Sequence, residues 1–179
     1  MIPTASLHHL HPPVSNQSGD TAPAAHPSPH QQTVRAKACA LRVLCVDDSA
    51  TARAAVIIAL GSHPDFCVDA KADAAAALHI GTEAARSGDP FDLFILDIQM
   101  DPIDGFELLG QLRRLSCYAE TPAIFLSSCR DTGAARRADE LGARVVKKSD
   151  VHHLLATARS IAASHNLRAQ PRAEALPAR

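Results

Sequence analysis

Short apolar runs and amphipathic stretches alternate through the middle of the chain. The runs fall at 43–46 (VLCV), 66–70 (FCVDA), 92–96 (DLFIL), 123–126 (AIFL) and 144–146 (RVV). Runs this short, rich in Val, Ile, Leu and Phe, read as strands rather than helices. A helical pattern follows each of them. Val56 and Leu60 share a face after the first run, with Gly61 as a stop, and Asp73 caps the stretch after the second, which ends at Gly88. Asp104 and Glu107 give a D-x-x-E start after the third, and Leu108, Leu112 and Leu115 lie at i, i+4 and i+7. Asp131 caps a helix ending at Gly142, and Val151, Leu154, Leu155, Ala158 and Ile161 make the cleanest apolar stripe in the chain.

Five βα units therefore fit between residues 41 and 164. Near-continuous apolar runs suit strands buried on both faces, so a parallel sheet with helices on both sides is expected. Ligands of such sheets bind beyond the carboxyl ends of the strands, where the strand order reverses. The first strand ends in Asp47-Asp48, the third in Asp97, the fourth in Ser127-Ser128 and the fifth in Lys147-Lys148. If the order is 2-1-3-4-5, Asp48 and Asp97 flank the reversal.

This edge has a definite chemistry. Two carboxylates about 4 Å apart repel by roughly 4 kcal/mol at an effective dielectric of about 20, so a counter-charge is called for. Three carboxylates suit a hard divalent cation, and Mg²⁺ takes a few carboxylates, a carbonyl and waters. A hydroxyl and an ammonium facing that cation suit phosphoryl oxygens. A carboxylate can itself be the nucleophile, giving an aspartyl phosphate.

Composition alters the picture mainly at the ends. The chain has 179 residues, 46% hydrophobic and 21% charged, with a net charge of −1, and no broad attraction to nucleic acid or anionic membrane is implied. Residues 1–40 hold half of the prolines and half of the histidines, His8, His9, His11, His26 and His30, without any apolar period. They are expected to form a disordered tail, as is 165–179, leaving 41–164 as the folded domain. No leader or membrane-spanning pattern is visible, which points to the cytoplasm. The five cysteines, Cys39, Cys45, Cys67, Cys117 and Cys129, stand singly and are expected to be small buried hydrophobes rather than disulfides or zinc ligands.

"VDDSATAR", "FDLFILDIQMDPIDGFELL", "TPAIFLSS" and "LGARVVKKSD" together resemble the response-regulator receiver family of two-component signalling, particularly chemotaxis-type receivers. The resemblance covers roughly residues 41–162. It implies a flavodoxin-like, doubly wound (βα)₅ fold with sheet order 2-1-3-4-5. It also implies Asp97 as phosphoacceptor, Asp48 as a direct Mg²⁺ ligand and Asp47 acting through metal-bound water. The backbone carbonyl of Gln99 would complete the protein ligands, and Ser127 and Lys148 would hold the phosphoryl oxygens. The partners implied are a histidine kinase or phosphotransfer protein upstream and an unidentified protein target downstream, with no direct nucleic-acid or membrane contact. Such a protein assists only its own phosphorylation and dephosphorylation.

The sequence departs from the family in four places. Asp101-Pro102 reverses the usual order, the lysine lies one residue closer to Gly142 so that Lys147 rivals Lys148, Ser149 replaces a proline, and Val145 stands where an aromatic residue is common. The 165–179 segment is too short for an output domain, so output is expected through a partner or the tails. Two other functions compete. An aspartyl-phosphate phosphatase of the haloacid-dehalogenase kind needs a second Asp where Gln99 stands, and a capping domain. A phosphorylation-independent, receiver-like interaction scaffold would keep the acidic residues without using them.

Overall fold

The computed structural model describes residues 41–128 and 132–169. Five strands alternate with five helices: β1 (Leu41–Val46), α1 (Ala50–Gly61), β2 (Phe66–Lys71), α2 (Ala74–Arg86), β3 (Leu93–Asp97), α3 (Gly105–Leu112), β4 (Ala123–Ser127), α4 (Thr132–Glu140), β5 (Arg144–Lys147) and α5 (Val151–Ala169). The strands form one parallel sheet in the order β2-β1-β3-β4-β5. This is the flavodoxin-like arrangement, with the reversal of order between β1 and β3.

The burial of each strand follows its place in the sheet. β3 and β4 are buried throughout and β1 nearly so, whereas the edge strands β2 and β5 are only partly covered. One apolar cluster joins Leu44, Phe94 and Phe125 to α2, α3 and α4, including Ala77, Leu108 and Ala138. The other joins Val43, Ile95 and Ile124 to α1 and α5 through Leu60, Leu154 and Ala158. Period-two alternation along each strand sends successive side chains to the two layers.

The helices start where a side-chain oxygen meets an orphan N–H. Asp73 Oδ1 accepts from Ala76 N at 2.7 Å, Asp104 Oδ1 from Glu107 N at 2.7 Å, and Asp150 Oδ1 from His153 N at 2.9 Å. Ser49 Oγ caps α1 through Ala52 N at 3.4 Å. Gly88 and Gly142, at φ 75° and 61°, supply left-handed turns after α2 and α4.

Several boundaries differ from the sequence expectation. α3 ends at Leu112, so Leu115 leaves the helix and leads into a 3₁₀ turn at Ser116–Tyr118. β5 ends at Lys147 rather than Lys148, because the backbone turns there and Asp150 N donates to Lys147 O. α5 continues to Ala169, five residues beyond the expected boundary at 164. The Asp131 cap, residues 1–40 with their histidines, and 170–179 lie outside the described residues. Among the described cysteines the uniform expectation needs correcting. Cys45 is a buried free thiol, but Cys67, on the half-covered edge strand β2, is disulfide-bonded, and Cys117 is exposed. Among the described residues no helix is long and apolar enough to cross a membrane.

Candidate functional site

The sheet brings the predicted polar residues to one edge. Asp47 follows the last residue of β1, Asp97 is the last residue of β3, and Ser127 is the last residue of β4. Parallel register sets Val46 beside Leu96, Asp97 beside Leu126 and Ser127 beside Lys147. Carboxylate oxygens of Asp47, Asp48 and Asp97 all lie within 4.8 Å of one another. Asp47 and Asp97 are buried, whereas Asp48 is exposed at the mouth.

Backbone groups hold part of the cluster. Ser49 N donates to Asp47 Oδ1 at 2.9 Å, and Gln99 N donates to Asp97 Oδ1 at 3.2 Å. Gln99 thus stands beside Asp97. Asp101–Pro102 in the same loop is a cis peptide. Gly105 closes this loop. Its N–H donates to Ile98 O at 3.1 Å, and any Cβ there would collide with the Asp97 carbonyl. Glycine is the residue that permits this approach.

Lys148 supplies the counter-charge. Its Nζ donates to Asp97 Oδ2 at 2.7 Å and lies 2.9 Å from Asp47 Oδ2. The second contact is charge attraction without hydrogen-bond alignment, so the buried Asp47 Oδ2 has no hydrogen-bond partner. Lys147 is exposed. Lys148 N still bonds Ser127 O at 2.9 Å, which aims its side chain inward although the strand has formally ended. Of the two lysines left open by the sequence, Lys148 is the one that reaches the carboxylates.

Electrostatics record the crowding. Burial pushes the Asp97 carboxyl above its usual range, outweighing the hydrogen bonds from Lys148 and Gln99, and the neighbouring Asp47 charge adds to the rise. Burial also works against the Lys148 ammonium. The hydrogen bond to Asp97 and the contact with Asp47 more than offset it, and the net shift is upward.

Two further arginines belong to the surroundings. Arg53 Nη1 donates to the backbone carbonyls of Asp47 and Asp48 at 2.7 and 3.0 Å. Arg137 lines a cleft of about 720 Å³ that also meets Asp48, Gln99 and Asp104. The sequence reading passed over both. Arg53 stands four residues after the helix cap Ser49, a spacing that turns it back toward the strand end, which was the available signal. Arg137 gives no comparable sequence signal.

The donor set fits a hard divalent cation. All its atoms are oxygens, three carboxylates converge, and one buried carboxylate oxygen lacks a hydrogen bond. Asp47, Asp48, Asp97 and the Gln99 backbone carbonyl are the groups that could hold Mg²⁺.

The doubly wound sheet carries an acidic cluster and an inward lysine at its switch point. Residues 43–159 match the response regulator receiver domain family. The chain belongs to that family. Protein-glutamate methylesterase/protein-glutamine glutaminase 2 of Bordetella avium is 36% identical over 105 residues, covering 58% of this chain and 28% of that protein. The chain thus spans less than a third of that relative's length. Chemotaxis protein CheY4 of Vibrio cholerae superposes with a TM-score of 0.61 at 28% identity, covering 69% of this chain and 99% of the other. The receiver domain of the Arabidopsis thaliana histidine kinase CKI1, solved with Mg²⁺ and BeF₃⁻, gives 0.59 at 26% identity over 70% of this chain and 91% of the other. Domains of the family bind Mg²⁺ at an acidic pocket and take phosphoryl groups from histidine kinases or phosphotransfer proteins.

Proposed function

We propose that this chain is a phosphorylation-controlled signalling switch. Asp97 accepts a phosphoryl group from a histidine kinase or phosphotransfer protein, and a protein partner in the cytoplasm reads the result. The observation that carries this reading is the convergence of three carboxylates within 4.8 Å, with Lys148 Nζ 2.7 Å from Asp97 Oδ2.

An Asp97 oxygen attacks the phosphorus of a phosphohistidine. The new O–P bond forms as the P–N bond breaks, and the electron pair returns to the imidazole nitrogen. Asp47, Asp48, Asp97 and the Gln99 carbonyl would hold Mg²⁺, which would supply Lewis-acid neutralisation of phosphoryl charge. Lys148 exchanges its carboxylate contact for a phosphoryl oxygen, and the Ser127 hydroxyl donates to another. Because Lys148 follows β5 and Ser127 ends β4, their movement is felt by α4, β5 and α5.

The test is labelling with a small acyl-phosphate donor. Wild type should form a Mg²⁺-dependent, acid-stable, alkali-labile phosphoprotein, and Asp97→Asn should form none. Full labelling of that variant would take the role from Asp97. A wild type that never labels, yet captures the same partner, would favour the phosphorylation-independent scaffold.

A further inference from the structure

We infer that Arg53 is a positioning residue for the metal site, acting through the backbone of Asp47 and Asp48. The inference rests on reading the acidic cluster as a Mg²⁺ site. The three carboxylates are held in different ways. Asp47 accepts from Ser49 N and meets Lys148, and Asp97 accepts from Gln99 N and Lys148. Asp48 forms no ion pair with a described residue and is exposed, so its direction is set by the turn that carries it. That turn joins the end of β1 to the start of α1. Asp47 N is tied to β2 through Lys71 O at 3.2 Å. On the acceptor side, one half-buried guanidinium nitrogen of Arg53 bridges two successive carbonyls, those of Asp47 and Asp48, at 2.7 and 3.0 Å. Its backbone N–H makes the ordinary helical bond to Ser49 O at 3.0 Å, so the side chain starts from the first turn of α1 and folds back over the strand end.

Two roles for this arginine predict opposite signs. As a bystander cation it opposes Mg²⁺, and its loss should tighten binding slightly. As a clamp on Asp48 it favours Mg²⁺, and its loss should weaken binding. Groups that orient metal ligands typically contribute about 10- to 100-fold in affinity. Because a single nitrogen serves both carbonyls, the planar fork of arginine is not required, and a lysine ammonium can take its place.

The experiment is calorimetric titration of Mg²⁺ into the full chain at neutral pH. It compares wild type with Arg53→Met, which keeps the aliphatic stem, Arg53→Lys, and the control Asp48→Ala. Circular dichroism establishes that each variant is folded at the titration temperature, and Arg53→Gln replaces the Met variant if that one is not. The expected result is binding about tenfold weaker in Arg53→Met, restored to within about threefold by Arg53→Lys, and lost in Asp48→Ala. A merely structural role would lower the melting temperature of Arg53→Met without moving its Mg²⁺ affinity. Arg53→Met binding as tightly as wild type or tighter, with Asp48→Ala silent, overturns the inference alone. A wild type that takes up no Mg²⁺, or an Asp48→Ala that matches it, overturns the metal reading and this inference together.

Discussion

Lys148 compensates two buried carboxylates, whereas its neighbour Lys147 is exposed and has no ion pair among the described residues. Removing one partner of a buried ion pair leaves an uncompensated charge, at about 3–5 kcal/mol when burial is complete. The Lys148 side chain keeps 20% of its exposure, and protonation of Asp97 can relieve part of the strain. Lys148→Ala is therefore expected to lose about 2 kcal/mol without Mg²⁺. Lys147→Ala should stay within about 0.5 kcal/mol of wild type. Urea unfolding of both variants decides this, and a reversed order would hand the role to Lys147. At this scale the acidic residues were legible because they recur at the ends of successive apolar runs, whereas any one of them alone reads as a helix cap. The lysine was not, since a one-residue deletion leaves spacing ambiguous; the Lys148 N to Ser127 O bond places Lys148, rather than Lys147, against the carboxylates. Arg53 was hidden for another reason. It works on backbone carbonyls, and those have no letter in the sequence.

Among the elements, the junction of α3 and α4 borders the cleft beside Asp48. Asp104 caps α3 with one oxygen and pairs with Arg137 of α4 through the other at 3.2 Å. The same guanidinium lies 4.2 Å from the Phe106 ring, which in turn packs against Phe125 of β4 at 4.2 Å between centroids. The two halves of this junction differ in weight. Loss of an Asp cap costs about 1 kcal/mol, sometimes 2. An exposed arginine in a salt bridge and over a ring contributes about 0.5–1 kcal/mol. Asp104→Ala should thus destabilise more than Arg137→Ala, and the double variant should show a coupling of about 0.5 kcal/mol in urea unfolding. Strict additivity would mean that the ion pair does nothing in solution. The caps Asp73 and Asp104 were readable from sequence, as were the glycine stops at 88 and 142. Element ends were read less well. Leu115 continued the apolar period of α3, yet the backbone had already left the helix. Periodicity marks a buried face, and a residue can stay on that face after its helix ends.

At the scale of the whole molecule, the fold buries a carboxylate beside another one, and the cost shows in the pH dependence of stability. The folded pKa of Asp97 lies above its usual 3.8, burial being the main cause. Between the unfolded and the folded value the native chain holds a proton that the unfolded chain has released, so stability falls as pH rises through that window. The relief is complete below it. A second fall is expected on the alkaline side. Burial pushes the Cys45 thiol up from 9.0 to about 12, with Asp47 adding to the rise, and burial also raises the Tyr118 hydroxyl. These two groups and Lys148 all hold their protons longer in the native state, so stability should drop once pH passes about 9, by roughly 1.4 kcal/mol per pH unit for each group inside its window. Mg²⁺ bound at the ionised carboxylates of the folded site would stabilise the chain above the Asp97 window and would also weaken the hold of those carboxylates on the Lys148 proton. At a hundredfold excess over its dissociation constant it would add about 2.7 kcal/mol to native stability. Asp97→Asn removes the strained charge without a large change of shape. That variant should be at least as stable as wild type at pH 7 without Mg²⁺, should lose the acid-side slope, and should gain little from the metal, while keeping the part of the alkaline fall that Cys45 and Tyr118 supply and losing most of the part from Lys148. Urea unfolding across pH, with and without Mg²⁺, reads all four outcomes. An Asp97→Asn that is clearly less stable at neutral pH would mean that the bond to Lys148 outweighs the burial of the carboxylate. Unfolding curves of wild type unmoved by millimolar Mg²⁺ would mean that the cluster holds no metal.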